Sequence, residues 1–283
     1  MANLPEWIKA EWVEKHQKEL SNLRVNESRS ESFLKTRREI VAYGRALLLK
    51  NQIPEQKFVI FGQPRTGSTL LVELLNSHPK IHCENEILNA EVYKKVLFPS
   101  LYVQGRCAKF PNKVYAFKII MFQLPEEHYT DPEQFMLNLS DQGWKIINTI
   151  RNDSLRSVIS VMVAISRKQW HSREKNSFKN QKVSIDCHRL IELLERREIY
   201  QAKEQEILDK LDHIKVIYEK DLLLAENHQK TSDRVFDYLG LESVPVETKL
   251  LKVTSNQLSD VIENYAEVVE NLRATKYAKL LSN

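Results

Sequence analysis

The residues most able to do chemistry in this 283-residue chain form a short loop after an apolar run at 58–61. Gly62 and Gly67 are separated by four residues, and Ser68 opens a segment with helical character. This spacing is typical of the G-x-x-x-x-G-K-[ST] loop, in which backbone N–H groups and a helix N-terminus hold phosphate. Ser68 stands where that loop has its lysine, and the cation is Arg65 instead. Because an ATPase or GTPase needs the lysine at the β- and γ-phosphates, the pattern indicates a loop for a different phosphate ester.

A second group of polar residues follows the predicted strand 146–150. In ATPases and GTPases a later strand usually ends in an aspartate that helps to hold Mg²⁺, whereas this strand ends in Arg151. Arg151, with Ser160 about two helical turns later, offers bidentate and hydroxyl contacts to a second phosphate. Asp153 is interpreted as the cap of the following helix rather than as a metal ligand. The sequence therefore predicts two anion sites at neighbouring strand ends and no metal site.

Composition limits the class of protein. Apolar residues make up 42% of the chain and charged residues 28%, which is enough for one large core. The net charge of +4 suits an anionic ligand, but no basic block is interleaved with aromatic residues, so nucleic acid is not predicted as a partner. Three widely spaced cysteines favour reduced thiols over zinc or disulfides. No apolar run approaches the roughly 18 residues of a membrane span, and no apolar signal segment is present, so we predict a soluble cytoplasmic protein.

Hydrophobic patterning predicts strands separated by helices, which is typical of a parallel sheet. We predict an α/β fold, with a P-loop-like parallel β-sheet flanked by helices on both faces and an α-helical N-terminal extension. The predicted strands are 58–61, 113–120, 145–150 and 214–218, with helices at 153–170 and 186–212 and amphipathic helical character in the last 40 residues. The prediction is a single domain, 1–283, with the helical extension at 1–54 and a catalytic core at 57–280.

Several segments, in this order, resemble the motifs of one enzyme family. Pro64 to Leu71 looks like the 5′-phosphosulfate loop of the sulfotransferases that use 3′-phosphoadenosine 5′-phosphosulfate (PAPS). Ile150 to Asp153, through Ser160, resembles the 3′-phosphate motif of that family. Further pieces are similar to its bacterial, carbohydrate-type branch, which includes the trehalose sulfotransferases. These are Ser77-His78-Pro79 with Glu86-Ile87-Leu88, Ala116-Phe117-Lys118, Gln169-Trp170-His171, Val216 to Glu219, Phe236 to Leu241, and Ile262 to Tyr265.

The resemblance implies an enzyme that moves a sulfuryl group from PAPS to a hydroxyl of a carbohydrate, a glycolipid or a small metabolite. The transfer would be in line, would leave PAP, and would use a glutamate base and no metal. The aryl and steroid branch is disfavoured, because no glycine follows Gly240 to form its C-terminal glycine-rich segment. A different cation must then contact the 3′-phosphate from the C-terminal side, and Lys249 and Lys252 are the candidates. Carried over to this chain, the motifs imply that Arg65, Thr66, Gly67, Ser68 and Thr69 bind the 5′-phosphosulfate, and that Arg151 and Ser160 bind the 3′-phosphate.

The resemblance implies that the base is the glutamate after the His-Pro turn. Glu86 matches that place, but Glu84 is two residues away, and on a strand both would face the same side. Glu86 is preferred because it begins the Glu-Ile-Leu segment, and burial is expected to raise its pKa. His128 is a rival base, interpreted as a surface residue in a polar run. Lys118 is the third catalytic candidate: a buried lysine is uncommon unless paired, so it either contacts the sulfuryl oxygens or extends its tip into water.

The acceptor site and the competing functions stay open at this stage. Trp170 and His171 are candidates to line the acceptor site, because aromatic faces suit sugar rings. Two alternative functions are a P-loop kinase or NTPase, which Ser68 and Arg151 argue against, and a non-catalytic module that binds PAP. Relatives of this branch can be dimers, so a homodimer is allowed.

Overall fold

The computed structural model describes residues 6–24, 28–167, 182–250 and 257–282. Its centre is a five-stranded sheet in the order β2-β3-β1-β4-β5, and every neighbouring pair is parallel. The strands are β1 Lys57–Gly62, β2 Ile81–Glu86, β3 Val114–Ile120, β4 Trp144–Ile150 and β5 His213–Ile217. The predicted parallel α/β fold is confirmed. β2 was not among the four predicted strands, because Ile-His-Cys-Glu-Asn-Glu contains no apolar run of the kind that marks a central strand.

Ten α-helices lie within the described residues and connect or flank these strands. They are α1 Ala10–Arg24, α2 Arg29–Leu48, α3 Ser68–Leu75, α4 Ala90–Tyr93, α5 Pro99–Cys107, α6 Pro132–Asp141, α7 Ser154–Ser166, α8 Cys187–Leu208, α9 His228–Leu239 and α10 Tyr265–Arg273. Two π-helical turns, Gln123–Glu127 and Tyr218–Leu222, follow β3 and β5. Among the described residues of the C-terminal stretch, the predicted helical character is found in α10 and in 3₁₀ turns on either side of it.

Helices cover both faces of the sheet, as predicted. Alternate residues of β1 point to opposite faces, so Val59 and Phe61 pack in one core cluster while Phe58 and Ile60 pack in another. The first cluster contains aromatic residues from α1, α5 and α8, and the second contains residues of α3 and α9. A strand buried on both faces reads as a continuous apolar run, which explains why β1 was readily predicted.

The N-terminal helices pack closely on the core. The Ala42 carbonyl of α2 lies so near Gly105 of α5 that a Cβ at position 105 would stand 1.7 Å from its oxygen. In α1, Trp12 is buried and its ring stacks on that of Tyr200 at 6.4 Å between centroids. The assignment of 1–54 as an extension of one domain stays a prediction. Across the described ranges, no helix has an apolar stretch long enough to cross a membrane.

The chain topology determines where a site can form. Because all five strands are parallel, their carboxyl ends lie at one edge of the sheet, and the loops that follow them meet there. In open sheets of this kind, ligands bind outside the carboxyl ends of the strands, where neighbouring crossovers diverge. The glycine loop follows the central strand β1, and its neighbours β3 and β4 supply the segments on either side.

Candidate active site

The loop 62–67 turns sharply against its neighbours, and its glycines are required by space and conformation. A Cβ at Gly62 would lie 2.4 Å from the carbonyl oxygen of Thr149 on β4. Gly67 has a φ of +80°, and a Cβ there would stand 2.7 Å from the ring of Tyr218. Both positions therefore exclude a side chain, and at Gly67 the backbone also needs a left-handed conformation.

Thr66 stabilises the loop from within. It is fully buried, and its hydroxyl donates to the Gln63 carbonyl at 3.0 Å while lying 2.9 Å from the Thr149 hydroxyl. The contact of Thr66 with a ligand stays a prediction, and in this structure its hydroxyl is engaged by Gln63 and Thr149. Its hydroxyl holds the turn in shape, and only its backbone remains to face a ligand.

Helix α3 begins directly after the loop and presents its positive end there. Gly67 is the N-cap residue, and no side chain caps this end of the helix. The first N–H groups of a helix have no intrahelical partners, and the helix dipole adds partial positive charge, so an uncapped N-terminus suits an anion. Arg65, within the loop, has a φ of +63°, a sparsely populated conformation for a residue with a side chain.

The structure brings the three predicted anion-binding side chains together. Arg65 Nε donates to Ser160 Oγ at 2.9 Å, and Arg151 donates to the backbone carbonyl of Arg65 at 3.2 Å. The Arg151 guanidinium lies over the ring of Tyr218, 4.5 Å from its centroid. Burial lowers the pKa of both arginines, and for Arg65 the neighbouring charge of Arg151 lowers the pKa further. Positive charge is thus concentrated between the two predicted anion sites.

The start of α7, which carries Ser160, is held by two acids. Asp153 caps the helix by accepting from the Arg156 N–H at 2.9 Å, which is the role that the sequence suggested. Glu219 accepts from the N–H groups of Asn152 and Asp153 at 3.1 and 3.0 Å. No role was predicted for Tyr218 or Glu219, although their position at the end of the predicted strand 214–218 was a usable signal.

A buried arginine that the sequence analysis missed connects the two anion loops. Arg197 of α8 donates to the Pro64 carbonyl at 3.3 Å and to the Arg151 carbonyl at 3.2 Å. Burial lowers the pKa of Arg197 to about 10. Beneath it, Glu204 accepts from Gln63 at 2.8 Å and from Asn148 at 2.6 Å. These contacts brace the loop after β1 against the end of β4.

The predicted base lies beside the same loop. Lys118 of β3 is 3% exposed, and its ammonium contacts Glu86 Oε1 at 2.7 Å and donates to the Thr69 hydroxyl at 2.7 Å. Asn89 and Gln123 donate to the other carboxylate oxygen of Glu86 at 3.1 and 2.9 Å. A quarter of the Glu86 side chain remains exposed. Lys118 therefore joins an accessible carboxylate to the first turn of α3.

The two glutamates of β2 do not face the same side, so that expectation was wrong. A β-bulge between Glu84 and Glu86 shifts the register, so that Glu84 pairs with Phe117 and Glu86 with Lys118. The Glu84 carboxylate contacts the Arg106 guanidinium and accepts from the Tyr115 hydroxyl at 2.6 Å. A bulge adds one residue to a strand and reverses the alternation beyond it. The two acids therefore have separate partners.

Two further expectations are corrected by burial and charge. Burial alone would raise the pKa of Glu86, but the Lys118 charge and the hydrogen bonds to Glu86 outweigh burial, and its pKa is lowered. His128 is buried rather than on the surface: one ring nitrogen lies 2.7 Å from the Leu88 carbonyl, and the other accepts from the Val96 N–H at 3.3 Å. With both ring nitrogens bonded to the backbone, His128 is in no position to act as a base.

Some predicted residues contribute nothing that can be described. Trp170, His171 and Lys252 lie outside the described residues. The backbone N–H of Lys249 donates to Glu73 at 3.3 Å, which anchors the segment 242–250 to α3. Within the described ranges, no group of three or more His, Cys, Asp or Glu side chains could hold a metal ion.

These features define a P-loop-like α/β protein whose central loop, uncapped helix and clustered arginines suit an anionic ligand. A model of the Sulfotransferase family matches residues 57–134, the stretch that contains the loop, Glu86 and Lys118. Nodulation protein H of Rhizobium meliloti (strain 1021) is 27% identical over 129 residues, which cover 42% of this chain and 51% of that protein. The chain thus spans about half the length of the curated relatives it matches. The predicted relationship to the sulfotransferases is confirmed.

Two solved structures show a distant likeness to this chain, each with a TM-score below 0.5. A sulfotransferase from Alicyclobacillus acidocaldarius has a TM-score of 0.48 at 14% identity, covering 78% of this chain and 96% of that one. Mouse sulfotransferase SULT7A1, solved in complex with PAP, has a TM-score of 0.41 at 14% identity, covering 86% of this chain and 71% of that one.

Proposed function

We propose that this protein is a sulfotransferase that moves a sulfuryl group from PAPS to a hydroxyl of a carbohydrate, glycolipid or small metabolite. The observation that carries the proposal is the bridge made by Lys118, which joins Glu86 to the Thr69 hydroxyl at the phosphate loop. The bridge places a carboxylate beside an anion-binding turn. The family match covers all three residues.

The arginine cluster and the loop fit a ligand with two anionic groups. The Arg151 Nε is buried with no hydrogen-bond partner among the described residues, and such an atom in a native site calls for a ligand or a water. Arg65, Gly67, Ser68 and Thr69 would hold the 5′-phosphosulfate, with the backbone of Thr66 behind them. Arg151 and Ser160 would hold the 3′-phosphate. Ser160 accepts from Arg65, so its own hydroxyl proton stays available for donation.

PAPS supplies the sulfuryl group, and this chain's residues position the reactants and move one proton. The Glu86 carboxylate accepts the proton of the acceptor hydroxyl as the general base. Lys118 has three N–H donors; two are directed to Glu86 and Thr69, and the third would contact the sulfuryl oxygens of the bound donor. Arg65 stabilises the negative charge that develops on the departing phosphate.

The bacterial carbohydrate-type branch, and with it the acceptor class, is supported by the ordered motifs from Ser77 onward.

A thermal-shift titration with PAP, compared with AMP, ATP–Mg²⁺ and buffer, tests the donor site. Ligand at about 100 times its Kd adds roughly 2.7 kcal/mol to the free energy of unfolding, a shift of several degrees. Selective stabilisation by PAP, lost in Arg65→Ala, is the expected result and leads to an acceptor screen with labelled PAPS. Stabilisation by ATP–Mg²⁺ alone would contradict the proposal and indicate a P-loop kinase or NTPase. PAP binding without turnover on any hydroxyl class would indicate a non-catalytic module.

A further inference from the structure

Helix α2 carries an exposed apolar surface that the proposed reaction does not use. Six large apolar side chains on this helix are between 38% and 83% exposed: Phe33, Leu34, Ile40, Val41, Leu47 and Leu48. They recur at seven-residue spacing, and at about 100° per residue all six lie within an arc of about 140°. We call these six residues the α2 outer face. Spacing of this kind is typical of a helix that packs on another helix.

The α2 outer face is extended by a neighbouring segment. Val92, Leu97 and Phe98 are also more than half exposed. This segment is held beside α2, because the Leu97 N–H donates to Glu39 at 2.9 Å and the Phe98 N–H donates to the Tyr43 hydroxyl at 2.9 Å. The nine side chains together expose an apolar area comparable with one partner's share of a standard protein–protein interface, which is about 800 Å².

The inner side of α2 is fixed, so the outer face is presented rigidly. Ala42 and Ala46 are buried, and Ala42 lies against the backbone of α5 at Gly105. The helix begins with a capping box in which the Ser28 side chain accepts from the Glu31 N–H and the Glu31 side chain accepts from the Ser28 N–H. A rigid apolar face loses little conformational entropy on association.

We infer that the α2 outer face is the interface of a symmetric homodimer, in which α2 packs antiparallel on α2 of a second copy. A two-fold axis between Ile40 and Val41 would oppose each apolar residue of the face with an apolar residue of the partner. The pairs are Phe33 with Leu48, Leu34 with Leu47, and Ile40 with Val41. An isologous interface requires this kind of self-complementarity.

The polar residues of α2 fit the same register. Arg37 and Gly44 lie on the midline of the α2 outer face, and the axis opposes Arg37 with the partner's Gly44. A Cβ at Gly44 would meet no described atom within 4 Å, so the helix has a notch there that accommodates a long side chain. A lipid surface is a poorer partner, because Arg37 lies on the midline of the apolar face, where a membrane-surface helix would have to bury its charge in lipid.

Sedimentation velocity and light scattering over a range of protein concentrations test the dimer. We expect a dimer for the unaltered protein and at least a ten-fold higher dissociation constant for Ile40→Lys, whose site is near the axis and already 64% exposed. Leu224→Lys is the matched control, since Leu224 is 52% exposed and lies outside the face. A monomer at every concentration, or a dimer that Ile40→Lys leaves intact, overturns the proposal. So does a monomer that binds anionic phospholipid vesicles through this face.

Two further variants test the antiparallel register. Gly44→Leu fills the notch, and its Cβ would meet no described atom within 4 Å, so it should weaken the dimer while the melting temperature of the monomer holds or rises. The double variant Leu34→Cys with Leu47→Cys should form an intermolecular disulfide under mild oxidation, because the register opposes these two positions. The three native cysteines are buried and should not compete. Leu34→Cys alone should not form this disulfide. Equal cross-linking by the single variant would refute the antiparallel arrangement.

Discussion

Replacing Glu86 by glutamine separates chemistry from structure at the proposed site. The amide keeps the shape of the side chain and an oxygen that can accept from Asn89 and Gln123, but it has lost the charge and the basicity. General base catalysis contributes about 10²–10⁴ in rate, so we expect kcat to fall by that factor, equivalent to about 2.7–5.5 kcal/mol of transition-state stabilisation. PAP affinity should stay nearly unchanged, since Glu86 makes no contact with the arginine cluster.

The same substitution also affects stability, and the size of that effect follows from burial. Lys118 is 3% exposed and would be left without its carboxylate, a situation that costs about 3–5 kcal/mol for a fully buried pair. Because a quarter of the Glu86 side chain reaches solvent, we expect a smaller loss of about 1–3 kcal/mol in the free energy of unfolding. This corresponds to a fall of a few degrees in Tm. Rates should therefore be measured well below the Tm of the variant.

Glu84→Gln is the matched control, two residues away on the same strand. It removes an equally charged carboxylate from Arg106 and Tyr115, so it should lower Tm by a similar amount. Its kcat should stay within about three-fold of the unaltered protein, because its carboxylate lies beyond the bulge and away from the loop. The assay is the initial rate of transfer from labelled PAPS. A loss of rate in Glu84→Gln with full activity in Glu86→Gln would refute the base assignment.

Three other substitutions test the surroundings of the site. Lys118→Met should raise the pKa of Glu86, since the lysine charge is the main influence that lowers it, and the acid limb of a kcat/KM–pH profile should move to higher pH; an unmoved limb would exclude this pair. Arg197→Gln should weaken PAP binding about ten-fold or more, with partial recovery in Arg197→Lys, because it holds both anion loops; calorimetric titration with PAP measures this. Burial lowers the pKa of His16, but hydrogen bonds to Glu127 and Glu19 outweigh burial and raise that pKa to about 9, so protonated His16 should stabilise the fold fully below pH 6.5 and lose that effect as the pH rises through 9. The Tm difference between the unaltered protein and His16→Gln, followed against pH, should shrink over that window.

The parts of the fold that local patterning determines were predictable. The run before Gly62 is apolar because β1 is buried on both faces, and the paired glycines mark a turn that no side chain could enter. β2 was missed, since an edge strand with one half-exposed face has no continuous apolar run. The relation of Glu84 to Glu86 was wrong because a bulge is set by pairing with β3, which alternation along one strand does not encode.

The parts of the site that depend on tertiary packing were not predictable. Arg196 and Arg197 are adjacent in α8, and nothing local indicates which of them turns inward. Arg197 reaches both anion loops, while Arg196 contacts Glu126 near the N-terminal helices. Their difference arises from the rotation of α8 against the sheet. Residues that position other residues are chosen by geometry, so their types carry little signal in a single sequence.

The Glu86–Lys118 pair decides what kind of catalysis this geometry favours. A strong base would need a raised pKa, which burial alone would give, but the lysine and two amides lower the pKa of Glu86 instead. The carboxylate therefore stays ionised and held in one orientation throughout the neutral range, at the cost of proton affinity. In a loosely bonded transfer the acceptor oxygen gains acidity as its bond to sulfur forms, so a weak but fixed base can take the proton late. Position rather than basicity would then be the main contribution of Glu86, and its replacement by a shorter aspartate should be nearly as harmful as its replacement by glutamine.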